Sequence, residues 1–389
     1  MKNPLKKLAR LSQEFEHWTH EDLLPLWWKQ SRLDNGAFYE AIGFDGKAVP
    51  APEARVRVQA RQIYCMALAW KMGWRKKSLP KKLEASIDRF LDTCLGPEGV
   101  PGMMIDIEKG ELTDPQPNLY VSAYALLALA QSRKVLGGRV IDPKLDKLKN
   151  DIESLLAMPD GNGYRETVPA NSIRLQNPHM HYYESLLCLY KITKLPGVRE
   201  QSEALLSFAH STFFDQRNGV VQERVNPTLE MSAREYEPGH SMEWVWLLGW
   251  RSRLFKVPLD PFAVRLYVHY CSADIPEGET PMGLAVDHSP VDPSRRLWSQ
   301  TESLKAHLTI AERGPAELRL PALNRAIECG RAIQENWILE EPRGGWCDRF
   351  DADGEPLAQN IPASMFYHIL VMVQELRRST KKIRKSSLS

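Results

Sequence analysis

Residues able to stack, hydrogen-bond or exchange protons recur along this chain at nearly constant intervals: Arg61, Tyr120, His181, His240, Trp298 and His368. The gaps are 59, 61, 59, 58 and 70 residues, each the length of two helices of about 12–20 residues with connections of about 4–8. Six helical hairpins would each deliver one such residue to the same end of the molecule. The spacing therefore predicts an all-α closed ring, an (α/α)6 barrel, with one site at its mouth. Unrelated core residues have no reason to keep such a beat.

The rest of the chain bounds this expectation. Its 389 residues suit a ring fold built as one unit. No Gly/Ser-rich or charge-rich interior stretch reads as a linker, so a single domain is expected over residues 1–377. The 11 Trp, 12 Tyr and 11 Phe are what a stacking site for a ring-shaped ligand draws on. A net charge of +2 gives no long-range field to gather nucleic acid or an anionic membrane. Residues 2–10 are basic, but Leu5, Leu8 and Leu11 fall at helical spacing and open an amphipathic helix rather than a targeting peptide. Residues 378–389 read as a basic, disordered tail. The apolar run 244–250 is far too short to cross a bilayer. The six cysteines (Cys65, Cys94, Cys188, Cys271, Cys329, Cys347) form no CxxC pair; free thiols in a reducing cytoplasm are expected. Association with further copies of the chain is left open by the sequence.

Apolar residues at helical intervals recur throughout, as in Ile63, Met66, Ala67 and Trp70, or Leu119, Ala123, Leu126, Leu127 and Ala130. Strand-like alternation is scarce. Short apolar runs near Val220 and Leu284 predict small loop hairpins, with Arg217-Asn218-Gly219 as a turn signal. Chemistry-bearing motifs sit where loops feed helices. Asn177-Pro178 reads as a capping side chain before a helical proline, Pro238-Gly239 breaks the chain ahead of His240, and Pro362-Ala363-Ser364 precedes His368.

Glu243 follows His240 by three residues, so a helix would let the two hydrogen-bond and raise the basicity of the imidazole. His368, alone on an apolar helix, reads as a satisfied core residue unless His240 from another hairpin pairs with it as acid and base. His179 and His181 lie two apart and point in opposing directions on a helix; with no HExxH spacing, no metal site is expected, and Asn177 and His181 read as hydroxyl binders. Arg61, a cation among apolar neighbours, needs a carboxylate partner or a wet cavity. Tyr120 and Trp298 offer apolar faces. Glu302, one turn beyond Trp298, could accept bonds from a ligand's hydroxyls. No phosphate loop, nucleotide fingerprint or GxSxG elbow occurs, so no cofactor is expected.

Five segments then carry a family resemblance: Arg57-Val-Gln-Ala-Arg-Gln-Ile-Tyr64; Asn177-Pro-His-Met-His181; Glu237-Pro-Gly-His240 with Glu243-Trp-Val-Trp-Leu-Leu248; Asp292-Pro-Ser-Arg-Arg-Leu-Trp-Ser-Gln-Thr-Glu302; and Gly344-Gly-Trp346 through Pro362-Ala-Ser364 to Tyr367-His368. In this order, over about residues 30–377, the chain closely resembles the N-acylglucosamine 2-epimerase superfamily, whose members include N-acylglucosamine and cellobiose 2-epimerases and mannose-type aldose–ketose isomerases on (α/α)6 barrels. The resemblance implies metal-free proton transfer at C2 of a small sugar substrate, with the catalytic histidines on His240 and His368. It puts substrate contacts on Arg61, Tyr120, Asn177, His181, Glu243 and Trp298. Ser241-Met242 and Met365-Phe366 depart from the usual pattern and bear on substrate preference.

On this reading one histidine removes the C2 proton of an open-chain sugar to give an enediolate. Return of the proton to C1 gives a ketose, and return to C2 from the opposite histidine gives the epimer. The Arg-Leu-Trp-x-Gln-Thr-Glu and Pro-Ala-Ser-x-x-Tyr-His forms resemble the mannose-type branch, implying isomerisation of a free aldohexose. The alternatives are 2-epimerisation of an N-acyl hexosamine or disaccharide, glycoside hydrolysis using Glu243 and Glu302 as opposed carboxylates, and non-catalytic sugar binding.

Overall fold

The computed structural model describes residues 4–159, 161–170, 173–226 and 235–386. Among these, the helices in chain order are α1 (Pro4–Trp18), α2 (Leu24–Gln30), α3 (Val56–Met72), α4 (Leu79–Thr93), α5 (Leu119–Leu136), α6 (Gly138–Leu156), α7 (Gln176–Thr193), α8 (Val198–Thr212), α9 (Pro238–Phe255), α10 (Pro261–Ser272), α11 (Leu297–Arg313), α12 (Ala316–Asn336) and α13 (Ala363–Ser386). The odd helices from α3 onward are each other's neighbours in sequence order, and α13 packs back on α3. Each even helix from α4 to α12 packs on the odd helix before it, while α1 lies against α12 and α13.

Side-chain pattern explains the two layers. In α4, Leu79, Leu83, Ile87 and Phe90 are buried along one stripe, and in α6 the stripe is Ile141, Leu145, Leu148, Ile152 and Leu156; such helices cover a core with one face. By contrast, α9 is buried without interruption from Pro238 to Trp250, as befits a helix enclosed on all sides. Close approach also depends on Gly249, where a Cβ would stand 2.2 Å from Thr309 Cγ2 of α11. Buried polar residues of α11 are paired. Gln300 Nε2 donates to Thr280 O at 2.9 Å, Ser303 and Tyr270 share a hydroxyl contact at 3.1 Å, and His307 lies 3.0 Å from Glu277, which offsets the desolvation cost.

Helix starts follow local chemistry. The Asn118 side chain accepts from Val121 N at the head of α5, Asp260 caps α10, and Pro238 occupies the first position of α9, where its missing N–H costs nothing. The expected hairpins form: Phe214–Asp215 pairs with Val220–Val221 around Gly219 at φ 73°, and Pro281–Ala285 pairs with Pro290–Arg296. The latter belongs to an antiparallel four-stranded sheet with Glu235–Tyr236 and Arg349–Phe350 at its edges.

Two expectations change. Asn177 does not cap α7: the helix begins at Gln176 and has no side-chain cap, because backbone pairing of Arg174–Leu175 with Arg224–Val225 already sets its start. The segment expected as a disordered tail is helical to Ser386, with Ser379 and Thr380 buried and Arg378 bridging Glu375 and Glu312; residues 387–389 lie outside the described residues. All six cysteines are free thiols. No helix of the described residues is long and apolar enough to cross a membrane.

Candidate active site

The six recurring residues each fall within the first six positions of α3, α5, α7, α9, α11 and α13. Because these helices are neighbours in a cycle, their N-terminal turns converge on one cavity of about 270 Å³. Its wall holds Arg61, Tyr120, Asn177, His181, His240, Glu243, Trp298 and His368, together with Arg55, Arg57, Glu237, Met282, Arg296, Ser364 and Met365. His179 points away, its Nδ1 lying 2.8 Å from Leu175 O, as its two-residue offset from His181 requires.

Arg61 finds hydroxyl partners rather than a carboxylate. It donates to Tyr120 Oη at 2.9 Å, to Tyr124 Oη and to Ser364 O at 3.0 Å. Burial works against its charge, but the Tyr120 and Tyr124 hydroxyls raise its pKa further, so it stays a cation. Tyr124 Oη lies 3.0 Å from His181 Nδ1, and His181 Nδ1 lies 3.1 Å from Glu184 Oε2. Burial, then Arg61, hold His181 well below the usual histidine range, leaving it neutral. Asn177 Oδ1 has no partner among the described residues and remains available to a ligand hydroxyl.

His240 and His368 differ in charge. His240 Nδ1 donates to Glu223 Oε2 at 2.9 Å and lies 3.4 Å from Glu237 Oε2. Burial opposes its protonation, yet the two carboxylates raise its pKa to about 10. His368 is held well below the ordinary range by burial, then by the Arg61 and Lys305 cations. Neutral His368 donates Nδ1–H to Glu302 Oε1 at 2.8 Å, which leaves Nε2 as a free base. At neutral pH this pair thus presents one imidazolium, His240, and one imidazole, His368. The Trp298 ring lies between them, 4.8 Å from the His240 ring and 6.1 Å from that of His368.

The expected His240–Glu243 hydrogen bond is absent. The i,i+3 spacing brings the two residues to one face, but His240 Nδ1 turns toward the loop carboxylates Glu223 and Glu237 and leaves both Glu243 oxygens without partners. Burial, reinforced by Glu302, raises the Glu243 pKa well above the carboxylate range, so Glu243 is a neutral acid able to donate. Glu302 is also corrected: it lies behind the wall, fully buried, with one oxygen on His368 and the other 2.5 Å from Lys305 Nζ. It orients a histidine rather than touching a ligand. Although ligand atoms of Glu243, Glu302 and His368 come within 4.8 Å of one another, Lys305 already supplies the positive charge beside them.

Sequence reasoning missed Glu223, Glu237, Tyr124, Glu184 and Lys305. Glu184 and Lys305 stand three residues after His181 and Glu302, a signal that helical spacing offers. Tyr124 stands one turn after Tyr120. Glu223 comes from a loop with no periodicity and carried no signal. Gly239 matters as well: a Cβ there would stand 2.6 Å from Trp298 Cη2. Gly239→Ala is expected to push the indole into the cavity and lower kcat/KM by at least tenfold with little loss of stability; unchanged kinetics would show that the ring has room to move.

A family model described as N-acylglucosamine 2-epimerase matches residues 36–372. That match makes the chain a carbohydrate isomerase or epimerase, as the names of its relatives also indicate. It belongs to the N-acylglucosamine 2-epimerase family. It is 32% identical over 385 residues to a mannose-6-phosphate isomerase of Rhizobium meliloti strain 1021, covering 95% of this chain and 97% of that one. It is 22% identical to a cellobiose 2-epimerase of Bacteroides fragilis, covering 88% and 92%. Among solved structures, the cellobiose 2-epimerase from Spirochaeta thermophila superposes with a TM-score of 0.88 at 20% identity, covering 99% and 100%.

Proposed function

We infer that the protein is an aldose–ketose isomerase of a hexose, of the mannose/fructose type, working on an (α/α)6 barrel through a cis-enediolate. The opposite protonation states of His240 and His368 across one cavity carry this reading. The relative with the highest identity quoted above is named an isomerase of a mannose derivative, which favours this over 2-epimerisation of an N-acyl hexosamine or disaccharide.

In this mechanism His368 Nε2 takes the C2 proton of the open-chain aldose. The C1=C2 bond forms as the carbonyl electrons move to O1, where the His240 imidazolium donates a proton. Arg61, Asn177 and Glu243 stabilise the developing charge as fixed donors. The proton on His368 then returns to C1 while His240, neutral after its donation, takes the O2 proton, giving the ketose and restoring the imidazolium. Epimerisation instead needs His240 to deliver its proton to C2 rather than to O1. These residues supply both proton transfers, so no step requires a metal.

The pH profile follows with a definite sign. His368 acts as the free base, so on the acid side kcat/KM falls as His368 is protonated, below the ordinary histidine value of 6.5. His240 acts as the acid, so kcat/KM falls as pH rises through about 10. An alkaline limb near 7 in a kcat/KM profile would contradict the charge assignment. Chromatography of the product from mannose tests the outcome: fructose supports the isomerase reading, and glucose as sole product supports the 2-epimerase reading.

A further inference from the structure

Positive charge in the cavity exceeds what the reaction uses. Four arginines line it. Arg55 is paired with Glu40 at 2.5 Å, Arg296 with Asp348 at 2.6 Å, and Arg61 is held by Tyr120, Tyr124 and Ser364. Arg57 is different. Among the described residues it has no carboxylate partner and makes no side-chain hydrogen bond, and its Nε is buried without a partner. Its only contact of consequence is with the Tyr120 ring, whose centroid lies 5.5 Å from Cζ. Glu243, kept protonated by burial, adds no counter-charge.

A half-buried guanidinium without a counter-charge is costly unless a ligand supplies one. Arg57 stands four residues before Arg61 on α3, just over one helical turn or about 6 Å nearer the helix start. That rise is on the scale of an open-chain hexose from C2 to C6. With C1 and C2 between the histidines beside Arg61, the far end of the sugar reaches Arg57. The planar guanidinium favours bidentate pairing with a phosphate.

We propose that Arg57 forms an anion subsite and that the substrate is a hexose carrying a phosphate monoester on its terminal carbon. This rests on the hexose isomerase reading of the same cavity and names its substrate class.

Calorimetry with mannitol 6-phosphate and mannitol, open-chain polyols that cannot react, isolates the subsite from the chemistry. The wild-type protein is expected to bind the phosphate at least tenfold more tightly, the scale of one charge-assisted hydrogen bond. Arg57→Met should bring that ratio close to one, and Arg57→Lys should retain part of it. A wild-type ratio near one overturns the proposal, as does a ratio that persists in Arg57→Met. If Arg57→Met does not fold, an undiminished ratio in Arg57→Lys overturns the bidentate geometry. Turnover of mannose 6-phosphate against mannose gives a parallel readout, with kcat/KM expected to favour the phosphate at least tenfold. Preferential binding without turnover of either sugar would leave the subsite standing and remove the isomerase reading; turnover of both sugars at equal kcat/KM would do the reverse.

Discussion

His368→Ala is expected to lower kcat on a hexose by about 10²–10⁴-fold, the usual contribution of a positioned general base, while KM changes far less. The imidazole is a neutral base on the cavity wall, oriented from behind by Glu302 at 2.8 Å, and it faces the His240 imidazolium across the Trp298 ring. Removing it leaves Arg61, Asn177 and Trp298 to bind substrate but nothing to take the C2 proton. Steady-state kinetics separates the two effects. A variant with nearly full kcat would mean that another group serves as base, and His181, also held neutral, would be examined next.

The second large effect concerns stability as well as rate. Lys305 and Glu302 are both fully buried, 2.5 Å apart, and the ammonium sits 3.5 Å from the Trp246 ring centroid. Lys305→Met removes the cation and leaves Glu302 unneutralised close to Glu243. Breaking a buried pair from one side costs about 3–5 kcal/mol, which a urea denaturation midpoint would report directly. Activity falls too, because burial already raises the Glu302 pKa and Lys305 is the first force holding it back. A protonated Glu302 accepts Nδ1–H from His368 only as a neutral acid, a weaker bond that supports the base less. Combining Lys305→Met with Glu302→Gln removes both charges and is expected to restore much of the stability without restoring kcat. If the double variant is no more stable than the single one, the loss comes from packing against Trp246 rather than from an orphaned charge.

Much of this arrangement was legible before any coordinates. The beat of Arg61, Tyr120, His181, His240, Trp298 and His368 places each at the start of an inner helix because one repeat is one hairpin. The two helical layers were not separated by that spacing; they show in the structure as the one-sided stripe of α6 against the unbroken burial of α9. What spacing could not supply was competition. The i,i+3 relation of His240 and Glu243 is real, yet Glu223 arrives from a loop some 17 residues upstream and accepts the Nδ1–H of His240, and no periodic signal marks such a partner. Glu302 looked like a ligand contact because it shares a face with Trp298, but the helix is enclosed on both sides and its second turn faces His368 and Lys305. The basic C-terminal segment read as solvated because its counter-charges, Glu312 and Glu375, lie on α11 and earlier on α13. Charge runs reveal their own sign but not what folds against them.

The central claim is that two histidines, one a cation and one neutral, move a proton at C2. Proton NMR of the purified protein with mannose in D2O, followed through many turnovers, tests it most directly. The account predicts fructose with deuterium entering at C1, because a proton held on an imidazole exchanges with solvent during repeated reversals, and it predicts loss of that exchange in both His240→Ala and His368→Ala. Fructose formed with the original C2 hydrogen fully retained at C1 would mean direct hydride transfer and would contradict it.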